Sequence, residues 1–310
     1  MKDIYFEYKK IEDTFSNVSE CKILLENIDY YFKLFTNMYF GINNFYSIQN
    51  SFNDNLNMNI GIEEFDKESF INYLNNIKDT NMLDLSILFY NCKSTLYSFR
   101  KCIEVINISD ALTLFRKFKD DFLLFIYFVK LGSPNDSDYN TKEKLKLWND
   151  YYEDANSWAN NTMGNVYYSK IIKLLKTEPK IKKLDDETKC FEFIINLTKK
   201  LNNFAHSNGR SFINNYNPIY NKQKILKLLN YINEQFNMVC SFLLTILFTI
   251  SPHYLMSSDY IDYKDAGSEP PEGSQYWIAP YFQEYFDNKL YKSNPSLKKF
   301  LIDNTCMHIK

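Results

Sequence analysis

Hydrophobic residues recur every three or four positions along most of the chain, which is the spacing of one face of an α-helix. The pattern is clearest over residues 109–132, where the predicted buried face contains Leu112, Phe115, Phe118, Phe122, Phe125 and Val129. We expect Ser109 or Asp110 to cap this helix and residues 132–134 to end it. On its opposite side Arg116 and Asp120, four residues apart, can pair.

The same spacing predicts further helices, at residues 21–40, 67–77, 83–106, 142–159, 167–176, 221–250, 281–291 and 296–302. Another helix, with Asp185 or Asp186 as its cap, is predicted to stop after His206. The polar stretches 43–59 and 207–218 are predicted loops. Segment 257–280, which contains Gly267 and Gly273, is either a functional loop or a linker.

Composition agrees with long helices. The 310 residues include only 7 Gly and 8 Pro, too few for the frequent tight turns of a β-rich fold. No stretch shows the strict alternation of a strand. The sequence therefore predicts an all-α, multi-helix bundle.

The cysteines and the apolar segments bear on the compartment. The six cysteines form no pair with the spacing of zinc ligands, and several lie in apolar helical stretches, as reduced thiols do. The N-terminal residues lack the apolar core of a signal peptide. The strongest apolar run, 238–250, is shorter than the roughly 20 residues that span a bilayer. We expect a cytoplasmic protein with no membrane segment and no cofactor.

Familiar catalytic motifs are absent from the sequence, including the glycine-rich phosphate loops, HExxH and GxSxG. Three histidines remain as candidates for acid–base chemistry. For His253, after a helix-ending proline, and His308, near the end of the sequence, a structural role is the simpler interpretation. That leaves His206.

Charge is unevenly distributed along the chain, and the stretch that contains this histidine is positive. Residues 170–210 carry 10 Lys or Arg against 5 Asp or Glu, a balance of +5, whereas residues 1–110 carry 10 against 16, a balance of −6. A positive region favours an anionic partner such as RNA. A solvated, lysine-rich helix face is the alternative interpretation.

The position of His206 at the end of a helix is compatible with a polar cleft. On a helical wheel it lies about 20° from Lys199 and about 40° to 60° from Asn202 and Asn203. The helix dipole at that end favours a protonated imidazole. A histidine that only caps the terminal carbonyls would occupy the same position.

The string Leu201-Asn202-Asn203-Phe204-Ala205-His206 resembles the end of the motif helix of HEPN-type α-helical domains. Their usual motif is Arg-Asn-x-x-Ala-His, with an arginine four to six residues before the histidine. The order of parts over residues 109–255 is also similar. The resemblance implies a HEPN-like bundle at 109–255, an additional helical region at 1–108, and a loop with short helices at 256–310.

The chain departs from that motif at the arginine. Leu201 occupies its position, and the nearest basic residues are Lys199 and Lys200, which can hold a phosphate but lack the bidentate fork of arginine. Either Arg116 or Arg210 supplies the missing guanidinium from elsewhere in the fold, or the site is inactive.

An active site of this family implies metal-independent cleavage of RNA by its own 2′-hydroxyl. His206 would be the general acid or base, and Arg116 or Arg210 would stabilise the phosphate charge. Asn203 or Asn208 would orient the histidine or the ribose. The predicted contacts to RNA are Lys199, Lys200, Asn208 and Asp120. The resemblance also implies a homodimer and a toxin or effector of an abortive-infection or toxin–antitoxin system, with an antitoxin or other protein partner. The alternative is a non-catalytic helical interaction or sensor module with a degenerate HEPN site.

Overall fold

The computed structural model describes residues 9–10, 13–15, 17–42, 85–132, 142–160, 162, 166–206 and 222–310. Regular structure within these ranges is helical, apart from one isolated antiparallel bridge between Met256 and Ile278. The all-α, multi-helix prediction is confirmed. The predicted helix at 67–77 and the predicted loops at 43–59 and 207–218 lie outside the described residues.

The long helices, numbered in chain order, are α1 (Ser19–Ile42), α2 (Leu85–Glu104), α3 (Ile108–Gly132), α4 (Lys142–Ala159), α5 (Tyr168–Leu175), α6 (Pro179–Thr188), α7 (Cys190–Ala205) and α8 (Lys222–Ile250). The shorter C-terminal helices are α9 (Asp259–Asp265), α10 (Pro280–Tyr285), α11 (Tyr291–Ser293) and α12 (Pro295–Asn304). A π-helical turn, Phe286–Leu290, joins α10 to α11.

Helix α3 forms the centre of the bundle and packs against α2, α7, α8, α5 and α4. Its predicted apolar face is buried, and from Phe125 to Gly132 every residue is buried on all sides. The predicted cap is wrong. The helix begins at Ile108, so Ser109 and Asp110 lie inside it, and the Asn107 side chain accepts the backbone N–H of Asp110 at 3.4 Å.

Aromatic rings connect α1, α2, α3 and α8. The fully buried ring of Phe236 on α8 lies 5.4 Å from Tyr31, 5.6 Å from Phe99, 5.8 Å from Phe115 and 6.0 Å from Phe118, measured between ring centroids. One cluster of buried residues runs from Phe15 to Ile309. All three predicted segments contribute to this core, and the predicted segment boundaries remain predictions.

Helix α7, which contains residues 201–205, has a different start from the predicted one. Helix α6, which the sequence pattern did not indicate, precedes it, and Lys189 at φ 56° separates the two. Asp185 is therefore not the N-cap residue of α7. Its carboxylate nevertheless accepts the backbone N–H of Phe191 at 3.0 Å, so it satisfies a donor at the start of α7 from the preceding helix.

The segment 257–280 returns to its starting point. The N–H of Ser257 donates to the carbonyl of Trp277 at 2.9 Å, and that of Ala279 donates to Leu255 at 2.8 Å. The segment is therefore a loop closed at its base, with α9 inside it, and not a linker.

No described helix combines the length and the apolar character needed to cross a bilayer. All six cysteine thiols are free, and four of them are buried.

Candidate functional site

The packing of α7 against α3 brings the end of one helix to the side of the other. His206 directly follows the last residue of α7, and its backbone N–H donates to the carbonyl of Asn202 at 3.0 Å. Arg116 and Asp120 lie one turn apart on α3. The crossing therefore places residues that are 90 positions apart in the sequence side by side.

Arg116 and His206 form a direct contact. The guanidinium Nη1 lies 3.0 Å from the imidazole Nε2. A guanidinium only donates hydrogen bonds, so Nε2 must accept, and the ring in this contact is neutral with its proton on Nδ1. The imidazole is exposed and the Arg116 side chain is 25% exposed, so the pair is open to solvent.

Asp120 flanks the other edge of the guanidinium. Its Oδ2 lies 3.4 Å from Nε of Arg116, which is an ion-pair distance, although this N–H makes no hydrogen bond with good geometry to any described residue. Nη2 likewise has no hydrogen bond within the described part of the chain. Nε itself has almost no accessible surface, so a ligand would have to reach the guanidinium through its Nη atoms.

A buried lysine stands behind Asp120. Lys119 is 0% exposed, and its ammonium donates a hydrogen bond to Oδ1 of Asp120. The same ammonium lies 5.0 Å from the centre of the Tyr168 ring on α5, a cation–π contact. Burial lowers the pKa of Lys119, and the charge of Asp120 opposes that shift.

Tyr168 covers this lysine and stays protonated. Burial raises the pKa of its hydroxyl far above the ordinary tyrosine value. The ring therefore offers Lys119 a neutral, electron-rich face at any physiological pH. The candidate site therefore contains three charged side chains in successive contact, Lys119, Asp120 and Arg116. Arg116 in turn contacts the exposed imidazole of His206.

The other residues predicted for the site either make no side-chain hydrogen bond to these four within the described part of the chain or lie beyond the described ranges. Lys200 donates to the hydroxyl of Tyr231 on α8 at 3.4 Å, and Lys199 is exposed. Asn203 is partly exposed and makes no hydrogen bond to a described residue. Arg210 and Asn208 lie outside the described residues. Of the two candidate arginines, the structure brings Arg116 to His206.

Lys119 and Tyr168 were missed by the sequence reasoning. A signal for Lys119 exists, because it lies four residues after Phe115 and four before Leu123, both buried. A lysine on that side of α3 needs a buried partner. Nothing in the sequence indicates that Tyr168 covers it.

The two remaining histidines have surroundings that explain them structurally. The ring of His253 stacks on Tyr254 with centroids 4.8 Å apart, and burial lowers its pKa. His308 lies beside Tyr276, with ring centroids 5.8 Å apart. Neither contacts the Arg116–His206 pair.

Similarity to known proteins does not identify the function of this site. The chain matches no protein-family model, and no curated protein or solved structure is significantly similar to it.

Proposed function

We propose that the chain is a metal-independent endoribonuclease of the HEPN type, with His206 and Arg116 as its reacting pair. The observation that carries this proposal is the 3.0 Å contact between Nη1 of Arg116 and Nε2 of His206. The position of the usual motif arginine is taken by Leu201, which is buried in the core. Arg116 supplies a guanidinium to the histidine from α3 instead.

The chemistry needs a base and a cation at one phosphate. In the proposed reaction, the phosphate of RNA takes the N–H groups of Arg116, which frees the Nε2 lone pair of His206. That nitrogen accepts the proton of the 2′-hydroxyl, whose oxygen attacks the phosphorus. The bond to the 5′ oxygen breaks, and this oxygen takes a proton from water as it leaves, while His206 returns its acquired proton to water. The products are a 2′,3′-cyclic phosphate and a 5′-hydroxyl end.

Each group has a physical reason for its role. A neutral imidazole with a free nitrogen is the form that a general base requires. The guanidinium stabilises the negative charge that grows on the phosphate oxygens. The positive balance of residues 170–210 supports an RNA substrate, because a net positive stretch attracts a polyanion. A homodimer, a cytoplasmic location and a toxin or defence role belong to the same proposal.

The test is cleavage of single-stranded RNA and tRNA in the presence of EDTA by wild type, His206→Ala and Arg116→Ala. Losing a general base or a charge-stabilising donor costs about 100-fold or more, so both variants should fall by that factor. Arg100→Ala is the matched control, because the Arg100 side chain is also 25% exposed and ion-paired. His308→Ala is the histidine control.

Two results would overturn the proposal. One is equal cleavage by wild type and His206→Ala, which would indicate a contaminating nuclease. The other is no cleavage by wild type at high concentration. A growth assay tests the toxin role. If the chain acts as a toxin, expression of the wild-type protein should arrest the growth of the host cells, and expression of His206→Ala should not.

A second candidate function, a non-catalytic interaction module, is favoured by an exposed apolar strip on α2. Ile87, Tyr90 and Tyr97 are 58%, 49% and 50% exposed and lie within roughly 80° of one another around the helix. Large exposed apolar side chains on one face mark protein-binding surfaces. Binding of a protein partner that Tyr90→Ser with Tyr97→Ser abolishes, together with no RNA cleavage, would favour this candidate.

A further inference from the structure

Two lysines of α3 are fully buried, and each has the same kind of surroundings. Lys119 contacts Asp120 and the Tyr168 ring, whereas Lys130 lies 3.5 Å from a carboxylate oxygen of Glu178 and 5.7 Å from the Trp148 ring centre. A buried ammonium costs free energy unless it is paired. Both lysines are paired, and Lys119 is the one beside the Arg116–His206 pair.

The contacts of Asp120 divide between its two carboxylate oxygens. Oδ1 accepts from Lys119, and Oδ2 faces Nε of Arg116. Adjacent residues of a helix point about 100° apart, so the long lysine stem must bend back to reach its neighbour. The rotamer of Asp120 is therefore tied to an ammonium that is packed under Tyr168 and has no exposed surface.

A fixed carboxylate restricts the guanidinium beside it. The charge of Oδ2, 3.4 Å from Nε, attracts the guanidinium on one side, and Nη1 lies 3.0 Å from Nε2 of His206 on the other. Without Lys119, Asp120 could rotate into solvent, since its side chain is already 36% exposed. Arg116 would then lose its fixed neighbour, and the contact with Nε2 would become one of several rotamers.

We propose that Lys119 is a positioning residue, which acts through Asp120 and Arg116 to hold His206 with its proton on Nδ1 and its Nε2 lone pair facing the guanidinium. It touches neither RNA nor the imidazole. The effect on the histidine follows from the geometry alone, while its effect on cleavage rests on the proposed function. A merely structural lysine would stabilise the core and leave the ring of His206 unchanged.

Nitrogen NMR of histidine-labelled protein at about pH 8, where an ordinary imidazole is neutral, distinguishes the two roles. With three histidines in the chain, the spectrum of His206→Ala assigns the signal. We expect wild type to show a protonated Nδ1 and an unprotonated Nε2. Free imidazole side chains favour the opposite tautomer, so the wild-type spectrum alone is a first test, and a dominant Nε2–H form would overturn the proposal.

The variants test the connection to Lys119. Lys119→Met keeps the length of the side chain and removes the charge, and Lys119→Gln is a second neutral variant should the first not fold. In both, and in Asp120→Asn, the signal should shift towards the Nε2–H tautomer. Lys130→Met, on the same helix and equally buried, is the matched control and should keep the wild-type signal. An unchanged tautomer in a folded Lys119 variant would overturn the proposal.

Cleavage kinetics provide the second measurement. Loss of positioning should lower kcat by about tenfold or more and leave KM nearly unchanged, because misplacing a reacting group affects the transition state. Lys130→Met should keep wild-type kcat. A wild type that cleaves no RNA overturns the proposed function, and the tautomer measurement still decides the role of Lys119.

Discussion

Phe236 offers the strongest test of how the bundle is held together. Its ring lies among Tyr31 of α1, Phe99 of α2, and Phe115 and Phe118 of α3, and none of its surface is exposed. Phe236→Ala removes the ring from the place where four helices meet. We expect a large loss of stability and a single unfolding transition, since the ring belongs to one continuous core.

The magnitude follows from the burial and the neighbours. Truncating a buried phenylalanine to alanine costs about 3 to 5 kcal/mol, depending on how far the cavity collapses. Four ring partners at 5.4 to 6.0 Å favour the upper end, because each aromatic pair adds about 0.5 to 1.5 kcal/mol beyond burial. Phe236→Leu keeps most of the volume and should cost less than about 2 kcal/mol.

Urea unfolding with two probes measures both expectations. Far-UV circular dichroism follows the helices as a whole, and tryptophan fluorescence follows Trp148 and Trp158 on α4 and Trp277 in the C-terminal loop. Coincident curves that shift together support one continuous core. A loss below about 1.5 kcal/mol, or two separate transitions of which one shifts, would refute the reasoning and favour independent domains with boundaries near 108 and 255.

Two further predictions concern α3 and the buried thiols. Asn107→Ala should lower the free energy of unfolding by about 1 kcal/mol, because α3 loses its side-chain cap. Asn107→Ser, which can also cap the helix and adds no charge beside Asp110, should keep most of that stability. Equal urea midpoints for wild type and Asn107→Ala would contradict this prediction. Burial raises the pKa of Cys240 well above its usual value. The unfolded thiol ionises above about pH 9 while the folded one stays protonated, so stability present below that pH is lost as pH rises, by about 1.4 kcal/mol per pH unit for each such thiol. Cys240→Ala should reduce that slope by this amount in urea titrations at increasing pH, and an unchanged slope would contradict the assignment.

The long helices could be predicted because their packing and their sequence period agree. The predicted bounds of α4 match the structure, and those of α1, α2 and α8 differ by one or two residues. Helix α6 could not be predicted in the same way. It has 10 residues, starts at Pro179 and buries only two apolar side chains, Ile181 and Leu184, which is too few to show a period.

Candidate residues for the site could be named from the sequence, but their arrangement in space could not. The context of His206 identified it, and two arginines remained as partners because the sequence contains no information on how α7 crosses α3. That crossing depends on the summed packing of both helices. Lys119 was missed for a related reason, since a lysine near an apolar face indicates burial only when the neighbouring helix is known to cover it.

The contact between Arg116 and His206 also depends on the register of α7 along α3. Arg116 lies in the first half of the central helix α3 and His206 follows the last residue of α7, so their separation changes when α7 slides along α3. One residue of helical rise is about 1.5 Å, and a slide of that size would lengthen the 3.0 Å contact to about 3.4 Å if it ran perpendicular to the contact and to about 4.5 Å if it ran directly away, both beyond the usual hydrogen-bond range. Any event that displaces α7 by a single step therefore uncouples the histidine from its guanidinium, without unfolding either helix.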